Sequence, residues 1–161
     1  MALVFLSLGS NLGNRESYLE QARKAIAKSF SDARFSGIYE TEPVDLADQP
    51  LFLNQVAEFR TDLSPESLLE WAKALESQAG RQRTVSKGPR TLDIDILLYD
   101  DWILDVENLV LPHPRLAKRR HVLVPLVELA PDRIIPDAGI SVLEALEKVK
   151  DTTQVKPHAS T

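Results

Sequence analysis

Two stretches of this chain carry apolar residues at helical spacing, and each is bracketed by β-prone runs. That alternation limits the folds open to it more than any other feature. "ALVFLSLG" opens the chain as an apolar strand ended by the Gly/Asn cluster "GSNLGN". Tyr18, Leu19, Ala22, Ala25, Ile26 and Phe30 then form one apolar stripe, which predicts a helix. "ARFSGIYET" and "FLNQVAEFRT" predict a second and a third strand, with the polar, two-proline "EPVDLADQP" as the loop between them. Residues 64–80 predict a second helix. Ser64 is its cap, Pro65 suits its first turn, Leu68, Leu69, Ala72 and Leu75 line one face, and Gly80 can end it. "RQRTVSKGPR" follows as a loop and "LDIDILLY" as a fourth strand. Ser141 and Glu144 form a capping box for a last short helix, and the tail from about Asp151 is expected to be loose.

The order β-α-β-β-α-β plus a C-terminal extension predicts an α+β chain of the ferredoxin-like kind, an antiparallel sheet with helices on one face. The other face must be covered by loops and the C-terminal segment, or left open as a site. At 161 residues a single domain over 1–161 is expected, large enough to bury a core without disulfides. The net charge of −5 argues against a nucleic-acid or membrane surface. The absence of cysteine removes thiolate chemistry, and the apolar start lacks a basic flank and is too short to span a bilayer, so a cytoplasmic protein is the expectation.

The cations are clustered against that acidic background. Residues 81–90 hold Arg81, Arg83, Lys87 and Arg90 with no acid, and residues 113–121 hold Arg115, Lys118, Arg119 and Arg120 with His113 and His121. Such patches suit a polyanion, because arginine forks bind phosphate oxygens in pairs. Between them Asp93 and Asp95 alternate with Leu92, Ile94 and Ile96. Side chains two apart on a strand share a face, with Cα atoms roughly 6.5 Å apart. Two carboxylates so close repel unless they are neutralised, and Mg²⁺ does this with one or two carboxylates plus substrate phosphates. Two such ions about 3.5–4 Å apart would clamp a phosphoryl group in transfer. No G-x-x-x-x-G-K-[ST] loop, G-x-G-x-x-G turn or H-E-x-x-H motif is present, so a nucleotide would rest on arginine and metal.

"LGSNLGN", "FLNQV", "GRQR" followed by "GPRTLDIDILLYD", and "LPHPR" followed by "VLVPLVELAP" resemble, in order and spacing, the 6-hydroxymethyl-7,8-dihydropterin pyrophosphokinase family, over roughly Leu3 to Pro136. The resemblance implies transfer of the diphosphate of ATP to a reduced pterin, with release of AMP, in folate synthesis. It also implies two Mg²⁺ ions on Asp93 and Asp95. Catalysis falls by resemblance to Arg81, Arg83, Arg90, Asp93 and Asp95, and the nucleotide to Glu76, Arg81, Arg83, Lys87, Arg90, His113 and Arg119. The pterin falls to Gly9, Thr41, Val44, Phe52, Asn54 and His121. The family pattern usually has Arg-Trp where this chain has Ser86-Lys87, and often has Phe where it has His121.

Plainer roles stand beside these. Phe52 can be core, His113 a turn residue between prolines, and Arg90 a structural partner of Asp93. A ferredoxin-like RNA or nucleotide binder without catalysis is the alternative, opposed by an aromatic content of 6% and by an Asp pair that repels phosphate unless metal intervenes. The partners expected are ATP and a reduced pterin, with no nucleic acid and no membrane, and the chain is expected to be a monomer.

Overall fold

The structure, a computed structural model, describes residues 1–42, 50–80 and 91–158. Its elements run β1 (Ala2–Ser10), α1 (Arg15–Ser29), β2 (Ser31–Phe35), β3 (Tyr39–Thr41), β4 (Phe52–Thr61), α2 (Pro65–Gln78), β5 (Asp93–Tyr99), β6 (Leu104–Val106), β7 (Leu109–Leu111), α3 (Arg120–Leu129), α4 (Val142–Lys148) and β8 (Val155–Pro157), with a 3₁₀ turn at Leu116–Lys118. The chain is a mixed α/β fold built on one antiparallel sheet, in the order β5-β1-β4-β3-β8, with β2 also on β4. β6 and β7 form a separate hairpin.

The expected local signals are present. Ser64 and Ser141 cap α2 and α4 by accepting from the Ser67 and Glu144 amides, and Asn14, which was not singled out by sequence, caps α1 in the same way. Gly80 follows α2 at φ +78°, a conformation that glycine adopts without the clash a Cβ would bring. The apolar stripes of α1 and α2 meet alternate residues of the strands, Val4, Leu6 and Leu8 with Leu53, Ala57, Phe59, Ile94 and Ile96. Phe30 stacks on Phe59 at 4.3 Å between ring centroids and meets Trp71 edge-on. Where β5 ends, buried Tyr99 donates to the Leu63 carbonyl at 2.6 Å, tying the strand to the turn before α2. Tyr99→Phe is therefore expected to lower stability by about 1 kcal/mol in urea unfolding, with the denaturant slope unchanged.

Helices do not keep to one face. α3 and α4 cover half of the opposite face, packing Val122, Leu123, Leu126, Val142 and Ala145 on Phe5, Val56, Leu97 and Leu98. A bulge, in which Phe5 pairs Leu98 and Leu6 pairs Ile96, lets the neighbours Leu97 and Leu98 both join this second core. The predicted second strand is two strands, broken at Ser36–Ile38, where Ser36 takes the Val56 amide on its hydroxyl and gives its own amide to the Val56 carbonyl. The tail departs from expectation. Asp151 accepts from the Arg120 amide at 3.0 Å, β8 pairs β3, and His158 lies 2.8 Å from Glu16, so residues up to 158 are tied down. No described helix is long and apolar enough to cross a membrane.

Candidate active site

Among the described residues α3 and α4 pack on Phe5, Val56, Leu97 and Leu98 of the second face, and the acidic pair lies on the same face further along β5. Asp93 and Asp95 are half-exposed while Ile94 and Ile96 are buried on the far side, as the alternation requires. β5 is an edge strand with β1 as its sheet neighbour, so its other backbone edge needs partners. Buried Glu76 supplies one, accepting from the Ile94 amide at 2.8 Å. The carboxylate predicted to serve the nucleotide is thus also a brace for the strand that carries the acids. The His113 amide supplies another contact, donating to the Leu97 carbonyl at 3.0 Å.

Register places the remaining residues. Asp93, Gly9, Asn54 and Tyr39 lie side by side across four strands, with Asp95, Ser7 and Val56 in a parallel row and Thr41 opposite Phe52. Strands about 4.8 Å apart set Asp93 and Asn54 about 10 Å from each other, with Gly9 between them. A Cβ at Gly9 would meet Asn54 Oδ1 at 3.4 Å and the Phe52 ring at 3.7 Å, so glycine keeps this floor flat. Buried Asn54 donates through Nδ2 to the buried Thr41 hydroxyl. That bond turns the amide so that Oδ1 lies beside Gly9, an acceptor for a flat polar edge resting there.

The loop before α3 brings nitrogen to the acids. His113 Nδ1 accepts from the Arg115 amide at 3.1 Å, which leaves Nε2 to carry the proton, 4.0 Å from Asp95 Oδ1. The His113 and His121 pKa values are both pushed down to about 4, first by burial and then by the Arg119 charge, against the opposing pull of Asp93. Arg119 therefore acts on both rings, and both are neutral at pH 7. His121 Nδ1 is buried and has no hydrogen-bond partner among the described residues. In the unfolded chain each histidine titrates near 6.5, so as pH falls the unfolded state takes up protons first. The stability they contribute is complete above 6.5 and is lost as pH falls towards 4. The melting temperature should fall between about pH 6.5 and about pH 4.5, and His121→Phe should make that fall shallower.

Among the described residues no group of three or more His, Cys, Asp or Glu is placed to hold a metal. Two carboxylates on one face, the Asp95 side chain 46% exposed, nevertheless fit Mg²⁺, because their hard oxygens are the ligands it prefers and would hold it beside phosphate. Of the residues expected from sequence, Gly9, Thr41, Phe52, Asn54, Glu76, Asp93, Asp95, His113, Arg119 and His121 are described. Arg81, Arg83, Lys87, Arg90 and Val44 lie outside the described residues, as does Ser86. Sequence reasoning passed over Asn11 and Arg15, which hold the chain on either side of residues 43–49. Buried Asn11 donates to the Pro50 carbonyl, and Arg15 reaches both Glu40 and the Leu51 carbonyl. The signal for Asn11 was present in "GSN", polar residues directly after an apolar strand.

A family model described as 7,8-dihydro-6-hydroxymethylpterin-pyrophosphokinase (HPPK) matches residues 5–131. The chain belongs to this family. It is 43% identical over 129 residues to the 2-amino-4-hydroxy-6-hydroxymethyldihydropteridine pyrophosphokinase of Bacillus subtilis (strain 168), covering 79% of this chain and 77% of that protein. With the protein of the same name from Haemophilus influenzae it shares 37% over 158 residues, 97% of this chain and 98% of the other. It also matches the folic acid synthesis protein fol1 of Pneumocystis carinii, 39% identical over 155 residues, but spans 21% of that protein's length. Among solved structures, an HPPK-DHPS in complex with substrates superposes with a TM-score of 0.75 over 91% of this chain and 43% of the other, and Plasmodium falciparum HPPK-DHPS with SDX-DHP gives 0.72. At 13% and 16% identity these two establish the HPPK fold alone.

Proposed function

We infer that this HPPK family member transfers the diphosphate of ATP to the hydroxymethyl oxygen of 6-hydroxymethyl-7,8-dihydropterin, releasing AMP, as a step in folate synthesis. The observation that carries the reading is the row Asp93–Gly9–Asn54, an acidic pair and an amide on either side of a flat glycine floor, in a chain of this family. The sheet order supports a ferredoxin-like core whose second strand is interrupted at Ser36–Ile38.

In this reading the pterin lies over Gly9, with its polar edge on Asn54 and Thr41 and its rings against Phe52 and His121. A neutral imidazole stacks as an aromatic does without drawing phosphate to itself. Val44 is assigned to the pterin by the resemblance alone. Asp93 and Asp95 would hold two Mg²⁺ ions, whose chemistry there would be to offset phosphate charge. Arg81, Arg83, Lys87 and Arg90, with His113, Arg119 and Glu76, hold the nucleotide. The hydroxymethyl oxygen attacks the β-phosphorus in line with the oxygen bridging to the α-phosphate. The new O–P bond forms as that bridge breaks, AMP leaves with the bridging oxygen, and the hydroxyl proton passes to water. Arginine charge lowers the barrier by meeting charge that spreads over the phosphoryl oxygens.

Incubation with ATP, Mg²⁺ and the hydroxymethyl dihydropterin should release AMP in step with diphosphorylated pterin. Release of ADP, or AMP formation that ignores the pterin, would overturn the reading.

A further inference from the structure

We propose that Glu128 and Tyr39 form a clamp that positions the Thr41–Asn54 pair and so sets affinity for the pterin. Neither residue was singled out by sequence, and the proposal rests on the pterin reading of the site. Glu128 stands on α3, while Tyr39 begins β3. The Tyr39 hydroxyl donates to Glu128 Oε1 at 2.7 Å, and the Gly37 amide donates to both oxygens of the same carboxylate at 3.1 and 3.0 Å. One side chain thus grips the middle of the break that separates β2 from β3 and the first residue of β3.

The break is where the direction of β3 is decided. Upstream, Arg34 and Phe35 pair with Glu58 and Ala57; downstream, Tyr39, Glu40 and Thr41 pair with Asn54, Leu53 and Phe52. Ser36 is fixed from β4 by its bonds to Val56, and Gln55 donates to the Ser36 carbonyl at 2.7 Å while accepting from Arg23 of α1 at 2.9 Å. Hydrogen bonds therefore run from α1, through Gln55 and the break, to Glu128 of α3, from one face of the sheet to the other. One residue, Glu40, stands between Tyr39 of this anchor and Thr41, whose hydroxyl holds the Asn54 amide in its orientation. Rotation of β3 about the break would move that hydroxyl and free the amide to turn its Oδ1 away from Gly9. Burial, then the Glu128 bond and charge, push the Tyr39 pKa up to about 12, so the phenol keeps its proton and remains the donor across the working pH range.

The clamp touches the pterin side alone. Asp93 and Asp95 lie on β5, separated from β3 by β4 and β1, and are braced by Glu76 and His113. This predicts separated kinetic effects. In an AMP-release assay, Glu128→Ala should raise KM for the pterin about five-fold, with KM for ATP and kcat changed less than about two-fold. Tyr39→Phe, which removes one oxygen and leaves the Gly37 bonds, should give a smaller rise in the same parameter. Glu128→Gln should recover most of the affinity, because its amide oxygen still accepts from both donors. A pterin KM unmoved in both Glu128→Ala and Tyr39→Phe, or a parallel rise in both KM values, overturns the clamp; so does a Gln variant no better than Ala. If Glu128→Ala does not fold, Tyr39→Phe alone decides the matter by the same split. Wild-type enzyme that turns over normally while the variants match it removes the clamp and leaves the pterin reading standing. Wild-type enzyme that releases no AMP with the pterin removes both.

Discussion

Asp95→Ala is expected to cut turnover by about a thousand-fold or more while melting with a temperature close to that of the wild type. The acid lies half-exposed on an edge strand, and the cores are built from its neighbours Ile94, Ile96, Leu97 and Leu98 on either face, so little packing depends on it. Removing one of two like charges even relieves repulsion between them. What disappears is one of the two hard oxygen groups that fit Mg²⁺ and the partner 4.0 Å from His113 Nε2. Single-turnover measurement of AMP at saturating ATP and Mg²⁺ checks the rate, and calorimetry checks the fold. A variant that kept more than about a tenth of wild-type turnover would mean that the acids serve structure rather than metal.

Asn54→Leu is the second change with a large expected effect, and it strikes the other end of the row. Leucine nearly matches asparagine in shape, so the strand can keep its pairing with Gly9 and Tyr39. The buried Thr41 hydroxyl loses its donor, and in the proposed pose the pterin edge would meet a methyl group where Oδ1 had been. A site built to hydrogen-bond its substrate loses heavily when a partner is removed, because the group left behind is buried and unpaired. kcat/KM for the pterin should fall about a hundred-fold, while ATP binding measured by calorimetry stays within about two-fold. Equal losses for both substrates would place Asn54 in the core rather than in the pocket.

Short-range chemistry made much of this readable in advance. The bounds of β4, the caps Ser64 and Ser141 and the left-handed Gly80 follow from residues within a turn of each other. The common face of Asp93 and Asp95 needed nothing beyond strand alternation. Features decided by distant partners were not readable. In "ARFSGIYET" the pair Ser36-Gly37 is a local mark of the break, but the partners that fix it, Val56 and Glu128, are distant in sequence. α3 carries Pro125 inside an apolar run, which obscures its helical period, and that proline removes the donor to the carbonyl four residues back. β8 is a short polar strand containing proline, an unpromising sequence made regular by lying at the sheet edge against β3. The cationic segment at 81–90 was conspicuous by composition, and its role stays a proposal from sequence.

The interval between the acids and Asn54 is set by the main chain, since β1 hydrogen-bonds to both β5 and β4 and contributes Gly9 at the crossing point. Side chains at either end can be exchanged without altering that span, so the sheet acts as a molecular ruler. An analogue whose hydroxyl arm is longer or shorter by one carbon should still dock its ring yet present the nucleophile out of reach. Selection by reach would then operate separately from selection by ring chemistry, and an inhibitor that bridges both ends with a correctly sized tether should gain where a mismatched one does not.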